Sequence, residues 1–185
     1  MPRVGLDAEA VVAAAAALAD ADGLRELTLA RLAAALGIRT PSLYAHIEGL
    51  DDLRTRLGVR GARELTPALQ TAAAGRARGD ALRAIALAYR EYAHVHPGTY
   101  AAMQIASDTD EFQAAGAELV GLLVAVLRGY ALEGEAAIHA VRAIRSALHG
   151  FVSLEREGGF GLPIDIDTSY NSLVTMLDAG LAATR

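Results

Sequence analysis

The sequence predicts an all-α fold, and three observations favour it. Hydrophobic residues make up 53% of the chain, and alanine, which loses no side-chain entropy in a helix, is the most frequent of them. In most segments the apolar residues recur every three to four positions, which is the period of an amphipathic helix. The one β-like segment, residues 162–166, is short and is interrupted by Pro163 and Asp165.

The composition limits the class of protein. The chain has no cysteine, so it has neither a disulfide framework nor a thiolate metal site. Its formal net charge is −5, but residues 1–63 hold equal numbers of arginines and acids, so the acidity lies in residues 64–185. The alanine-rich stretch 11–19 is too short to span a bilayer. We therefore expect a cytoplasmic protein with no membrane partner, and arginine without lysine indicates a GC-rich bacterial source.

Start and stop signals define the first two helices. Asp7 is expected to cap a first helix, which Gly23 ends. Thr28 is expected to cap a second, short helix that ends at Leu36. Gly37 follows and is free to adopt a positive φ, as a turn between helices requires.

The second and third helices have the length and punctuation of a helix-turn-helix. Thr40 is expected to cap the third helix, with Pro41 at its first position, and the helix is expected to run to about Ile47. Leu43 and Ile47, at i and i+4, are predicted to face the core. The surface positions carry hydroxyl groups, a phenol and an imidazole but no acid, which suits contacts with phosphates and base edges. From spacing alone, an αα-hairpin in a helical bundle is an equally good interpretation.

A fourth helix is predicted over residues 50–63. Leu53 and Leu57 are expected to face inward, and Gly58 and Gly61 make a straight rod unfavourable. If this helix transmits a signal, those glycines would ease a pivot.

Later breaks organise the rest of the chain. Thr66-Pro67 predicts a new start or a bend, and the low-complexity segment 72–79 predicts a linker. Further helices are expected at about 80–96, 98–106, 110–130, 134–157 and 168–183. The predicted division is a helix-turn-helix domain at 1–49, a connecting helix and linker at 50–79, and a helical ligand-binding and dimerisation domain at 80–185.

One run in the third helix is specific: Thr-Pro-Ser-Leu-Tyr-Ala-His-Ile at residues 40–47, which follows the helix-and-glycine pattern of residues 27–38. Through these motifs, residues 1–57 resemble the N-terminal domain of the TetR family of transcriptional regulators. The resemblance implies palindromic double-stranded operator DNA as a partner. It implies Arg39, Thr40, Pro41, Ser42 and Ala45 as base-facing positions, and Tyr44, His46 and Thr28 as phosphate or groove contacts.

Two positions depart from the family's pattern. The family usually has a lysine three residues before the leucine matched by Leu53, where it grips phosphate, and here that residue is Leu50. It also often has a basic N-terminal arm, for which only Arg3 is available here. Because each missing cation removes counterion release, we expect a modest and strongly salt-dependent affinity, with Arg54 and Arg56 as the nearest cations to compensate.

The segments His-Pro-Gly-Thr-Tyr at 96–100 and Leu-His-Gly-Phe-Val-Ser-Leu-Glu at 148–155 are similar to a TetR subfamily named for a Trp-His-Gly signature, although the aromatic is missing here. In that subfamily the last two helices of each subunit form a four-helix dimer interface, so the resemblance implies a homodimer. Apolar residues also form a stripe on each of the last two predicted helices. The predicted interface residues are Ile144, Leu148, Phe151, Leu173 and Leu177.

The middle helices carry side chains suited to a small apolar or aromatic effector, since they combine apolar walls with a few polar tips. An aromatic and methionine stripe is also typical of ordinary core, so both interpretations stay open. The candidate ligand-contacting residues are Tyr89, Tyr92, Tyr100, Met103, Gln104, Phe112 and Leu123.

No catalytic or metal-binding pattern accompanies these features. His94 and His96 diverge on a helix, and the glycine-rich loop 158–161 follows a helix, whereas a phosphate-binding loop follows a strand. We therefore predict a protein that is not an enzyme and has no cofactor or metal.

Two functions remain. The first is a ligand-responsive, sequence-specific DNA-binding transcriptional regulator, for which the resemblance implies repression and ligand-induced release. The second is a ligand-binding or interaction module of the same fold with weak or lost operator binding, which Leu50 and the scarcity of N-terminal cations favour.

Overall fold

The computed structural model describes residues 6–184, and these form nine α-helices with no strand among them. The predicted all-α fold is therefore confirmed. The helices are α1 (Ala8–Asp22), α2 (Leu29–Leu36), α3 (Thr40–Leu43), α4 (Leu50–Ala73), α5 (Arg78–Val95), α6 (Pro97–Ala102), α7 (Asp110–Leu127), α8 (Gly134–Arg156) and α9 (Ile166–Ala183). Short 3-10 turns occupy Leu24–Glu26 and Arg128–Tyr130.

The chain forms two compact units, and each draws on separate stretches of sequence. The first unit consists of Met1–Glu64 and Val95–Gly116, and the second of Leu65–His94 and Ala117–Arg185. Their boundaries fall inside α4, α5 and α7, so each of these helices contributes residues to both units. The predicted domains, divided after residues 49 and 79, succeed one another in chain order. The two units do not, because α6 packs with the N-terminal helices.

The core of the first unit is built by α1, α2, α3 and the start of α4. Leu43 and Ile47 are buried, as their spacing predicts, and so are Leu53 and Leu57 on α4. Ala102, the last residue of α6, belongs to the same apolar cluster. The short helix α6 is therefore part of the packing that supports the N-terminal helices.

Helix α4 is longer than its sequence signals predict. It runs unbroken through Pro67, so the predicted new start there is wrong. The connection to α5 leaves only residues 74–77 outside the helices, so the linker lies within the predicted segment 72–79 but is shorter than predicted. Leu65 and Leu69 are buried on either side of the proline, and this burial offsets the hydrogen bond that proline cannot make.

Helix α7 carries apolar surface that the described chain covers only in part. The segment Asp110–Tyr130 is long and apolar enough to cross a membrane by length and composition, with a mean hydropathy of 1.4. A single helix of this kind is weak support for a membrane span, because core helices of soluble proteins have the same composition. Only 11% of the most apolar 18-residue stretch of this segment is buried, however. Residues 119–126 are all half-buried or exposed.

Candidate nucleic-acid interface and ligand site

Helix α2 and the turn after it are formed by local signals. Thr28 is the N-cap of α2, and its hydroxyl accepts a first-turn backbone N–H at 3.2 Å. Gly37 adopts φ +66°, where a side chain would be strained. The N–H of Gly37 donates to Ala34 O and that of Ile38 to Ala33 O at 3.0 Å, which is a Schellman motif. The predicted cap and glycine turn are both confirmed.

Helix α3 is shorter than predicted. It covers Thr40–Leu43 with Arg39 as its N-cap, so the predictions that Thr40 caps it and that it runs to about Ile47 are wrong. After Tyr44 the next two N–H groups donate to carbonyls three residues back, and these tighter bonds end the α-helix within about one turn.

The predicted DNA-contacting side chains of this region lie at the surface. Tyr44 is 57% exposed, while its neighbour Leu43 is buried. Thr40 and His46 are half-buried, and the others are exposed. The region is called the reading surface below and consists of Arg39, Thr40, Pro41, Ser42, Tyr44, Ala45 and His46.

The cations near the reading surface differ in how they are paired. No acid among residues 6–184 forms an ion pair with Arg39. Arg54 Nη1, in contrast, lies 3.3 Å from Asp51, and Arg56 Nε lies 2.8 Å from Asp52. Both arginines expected to compensate for the missing lysine are thus held by acids on their own helix.

The start of α4 is acidic where the family resemblance implies a cation. Leu50 is half-buried and packs against the core of the first unit. Asp52 accepts the Glu48 N–H at 2.9 Å. Burial by itself would raise the pKa of Asp52, but the hydrogen bonds from Arg56 and from Glu48 outweigh burial and lower it. Asp52 therefore stays ionised, and Arg3 lies outside the described residues.

The predicted ligand-contacting residues divide between the two units. Tyr89 and Tyr92 belong to the second unit and are buried. Leu123 also belongs to the second unit, and the first unit contains the other four candidates: Tyr100, Met103, Gln104 and Phe112. Tyr100 is buried, and Gln104 Nε2 donates to Tyr100 O at 3.4 Å. These four residues are part of the first unit's own packing.

Glycines in α4 serve close packing. A Cβ at Gly58 would lie 2.7 Å from Phe112 Cε2, and a Cβ at Gly61 would lie 2.6 Å from Met103 Cγ. Both glycines are buried, and α4 is continuous through them. Helix α4 stays continuous at both positions, because packing by Met103 and Phe112 compensates for the low helix propensity of glycine.

Some of the predicted dimer-interface residues are buried inside the protomer. Ile144 and Leu148 are buried, so they supply little exposed area, while Phe151, Leu173 and Leu177 are half-buried. The periodicity identified the apolar face correctly, but α8 and α9 pack this face against the chain's own core.

An apolar groove lies on the exposed side of α8 and α9. It has a volume of about 470 Å³. Met176, which lines it, is 65% exposed. The remaining lining residues are Ala136, His139, Ala140, Ala143, Ile144, Leu177, Gly180, Leu181 and Thr184.

A charged cluster in the second unit was missed by sequence reasoning. Arg90 donates to both carboxylate oxygens of Glu155 and, at 2.8 Å, to Asp167. Its guanidinium lies 4.9 Å from the Tyr170 ring centroid, and His94 Nε2 lies 3.0 Å from Glu155. Arg90 holds the pKa of Glu155 below its ordinary value. The only sequence signal was Glu155 itself, at the end of the 148–155 motif, because its partner is 65 residues away.

Comparison with known proteins covers nearly the whole chain. A family described as "Tetracyclin repressor-like, C-terminal domain" matches residues 82–177. The uncharacterized HTH-type transcriptional regulator Rv0681 of Mycobacterium tuberculosis is 41% identical over 95% of this chain and 82% of the relative. The uncharacterized HTH-type transcriptional regulator YobS of Bacillus subtilis is 35% identical over 97% of this chain and 95% of the relative.

A solved structure supports the same architecture. A TetR variant from Acinetobacter baumannii, in complex with minocycline, superposes with a TM-score of 0.72 over 95% of this chain and 96% of that chain. At 22% identity, this likeness shows the fold.

Proposed function

The chain belongs to the TetR family of helix-turn-helix transcriptional regulators, and we propose that it is a homodimeric repressor that binds a palindromic operator and releases it when a small apolar ligand binds. The observation that carries the proposal is the reading surface, which lies at the surface of the first unit, contains no acidic side chain and is supported by the buried Leu43 and Ile47. The protein is not an enzyme, and we propose that it acts in the bacterial cytoplasm.

Each part of the reading surface has a role in the proposal. Arg39, which has no acidic partner among the described residues, gives a guanidinium to a base edge or a phosphate. Tyr44 and His46 donate to phosphates, and Thr40, Pro41, Ser42 and Ala45 face the bases. Thr28 Oγ1 accepts a backbone N–H as the cap of α2, and its O–H can still donate, so the α2 N-terminus offers a phosphate this O–H and its remaining free N–H groups.

The test is selection of genomic fragments by the purified protein at low and moderate salt. Arg39→Ala and Tyr44→Ala should each weaken the recovered operator complex about tenfold or more while leaving the thermal midpoint unchanged. Arg83→Ala is the matched control, since it removes an exposed arginine from α5 and should leave affinity unchanged. Recovery of no specific fragment at either salt would support a ligand-binding module without operator binding and would contradict the proposal.

The homodimer is proposed to form through the apolar groove of α8 and α9. A two-fold interface needs an exposed self-complementary patch, and the groove supplies one, with Met176 as its most exposed large side chain. Met176→Glu should give monomers in sedimentation at micromolar concentration and lose binding to a two-half-site operator. Leu162→Glu, at a position 74% exposed in the loop before α9, is the control and should remain dimeric. A wild-type protein that sediments as a monomer would contradict this assembly.

The effector is proposed to bind in the second unit. The apolar side chains of α7 between residues 119 and 126, Leu123 among them, are only partly covered, and Tyr89 and Tyr92 of the same unit offer aromatic faces with polar tips. A relative of this fold accommodates minocycline. Met103 and Phe112 are proposed to pass the signal on, because they pack against Gly61 and Gly58 of α4.

A thermal-shift screen of aromatic and medium-chain aliphatic metabolites tests the effector. A true effector should raise the melting temperature and weaken operator binding, and operator DNA must weaken effector binding by the same factor. Tyr92→Ala should remove the response and keep operator binding. An effector that stabilises the protein but leaves operator affinity unchanged at saturation would contradict ligand-induced release.

A further inference from the structure

Helix α6 begins without a cap from its own sequence. Its N-cap residue, His96, makes no side-chain cap bond. The acceptor comes from α1: Asp20 Oδ1 accepts the Thr99 N–H at 2.7 Å, and Asp20 Oδ2 accepts the Thr99 hydroxyl at 3.2 Å. His96 Nδ1 also lies 3.3 Å from Asp20 Oδ2. The Asp20 carboxylate, 79 residues away along the chain, therefore caps the N-terminus of α6, whereas most helices are capped by the residue directly before them.

The position of Asp20 on α1 is unfavourable on local grounds. Asp20 and Asp22 both lie in the last turn of α1, where the helix dipole disfavours negative charge, and that turn contains no basic residue. Each carboxylate has a partner outside α1 that offsets this unfavourable interaction with the dipole. Asp20 holds α6, and Asp22 lies 2.6 Å from Arg31 of α2.

The two carboxylates thus tie the end of α1 to two different helices. Arg31 also donates to Glu26 O at 3.0 Å, so α2 is fixed to the turn that leads into it. On the other side, Gly98 of α6 lies so close to Ala19 that a Cβ there would be 2.6 Å from the Ala19 Cβ and nearer still to its carbonyl. The close packing at Gly98 and the hydrogen bonds from Thr99 to Asp20 both hold α6 against the end of α1.

We infer that Asp20 is a positioning residue of the helix-turn-helix: through it, a displacement of α6 moves the end of α1, and the Asp22–Arg31 pair passes that displacement to α2. The inference rests on the proposed function, because a displacement of α6 is useful only if α2 and α3 read DNA. It is restricted to contacts inside the first unit, where Asp20, Asp22, Arg31 and Thr99 all lie.

Amide hydrogen exchange of the full-length protein, with and without operator DNA, tests the inference. In the DNA-free protein, Asp20→Ala should speed exchange of residues 99–103 about fivefold, the effect of losing one helix cap, and should also speed exchange in α2. Asp20→Asn keeps an acceptor oxygen and should restore most of the wild-type protection. Asp7→Ala is the matched control, since Asp7 caps the opposite end of α1 by accepting the Ala10 N–H at 2.7 Å.

The readout specific to coupling is the response of α6 to DNA. Operator DNA should slow exchange at residues 99–103 severalfold in the wild type and in Asp7→Ala, and less than twofold in Asp20→Ala, because coupling between two sites is reciprocal. Equal protection in the wild type and Asp20→Ala would overturn the inference, as would a wild type whose α6 ignores bound DNA. If no operator is recovered, the proposed function fails, and the inference is then tested in the DNA-free protein alone. There, unchanged exchange in α2 of Asp20→Ala would overturn the inference.

Discussion

Replacing Gly98 with alanine is expected to destabilise the protein by about 3 kcal/mol, because α1 and α6 meet at this residue without space for a methyl group. The added Cβ would lie 2.6 Å from Ala19 Cβ and closer to the Ala19 carbonyl. Those carbonyl atoms are backbone, so they have no side-chain rotamer to escape into. The two helices would have to separate by roughly 1 Å before ordinary contact distances return.

The magnitude follows from three contributions. Overpacking in a filled interior costs about 1–3 kcal/mol, and rigid backbone on one side places this site at the upper end. Separation of the helices also lengthens the bond from Thr99 N–H to Asp20, which is now 2.7 Å, and loss of such a cap costs about 1 kcal/mol. The higher helix propensity of alanine offsets up to about 1 kcal/mol of this loss of stability.

Calorimetry and urea unfolding measure the effect. A loss of about 3 kcal/mol corresponds to a melting temperature lowered by roughly 6–12 °C for a chain of this size. Gly121→Ala is the control: this exposed glycine of α7 has open space around its missing Cβ, so the substitution should stabilise by about 0.5–1 kcal/mol. A Gly98→Ala protein as stable as the wild type would refute the reasoning from the close approach.

Three further predictions concern charges. Arg90→Gln leaves the Glu155 carboxylate, only 11% exposed, without its main partner and should lower the free energy of unfolding by about 3 kcal/mol in urea; a loss below about 1 kcal/mol would contradict this. Burial, assisted by two neighbouring arginines, lowers the pKa of His149 from 6.5, so the folded state favours the neutral ring. The stability that His149 contributes is therefore complete above about pH 6.5 and is lost as the pH falls through the folded pKa; His149→Gln should flatten that part of the stability curve, and an unchanged curve would count against it. Leu50→Lys adds a phosphate contact and should steepen the slope of log affinity against log salt by about 1, whereas an unchanged slope would place this residue away from the DNA.

Local signals were predicted well because they act within a few residues. The cap at Thr28 and the glycine turn at Gly37 depend on hydrogen bonds to the adjacent helical turn, so sequence alone identifies them. The inward direction of Leu43 and Ile47 follows from helical period and needs no knowledge of what covers them. The run at residues 40–47 was specific enough to indicate the family, and the comparisons confirm it.

Predictions failed where packing outweighed a local preference. Pro67 and the segment 72–79 have the composition of breaks, yet α4 continues through the first and both flanking helices extend into the second. Gly58 and Gly61 resemble flexible points, but each is a contact surface for a side chain about 40 or 50 residues away along the chain. Local propensities of about 1 kcal/mol per residue are easily exceeded by buried leucine, methionine and phenylalanine side chains.

The sequence by itself determined the all-α class and the family and predicted the reading surface, since each of these depends on residues close together along the chain. Only the tertiary structure decided which distant groups meet: Asp20 with Thr99, Arg90 with Glu155, and the division of the predicted ligand residues between two units. Helical periodicity predicts which face of its own helix a side chain lies on, but it does not predict which residue of another helix packs against that face. That neighbour is selected by close packing of whole helices, in which α6 reaches the end of α1 only because Gly98 has no side chain.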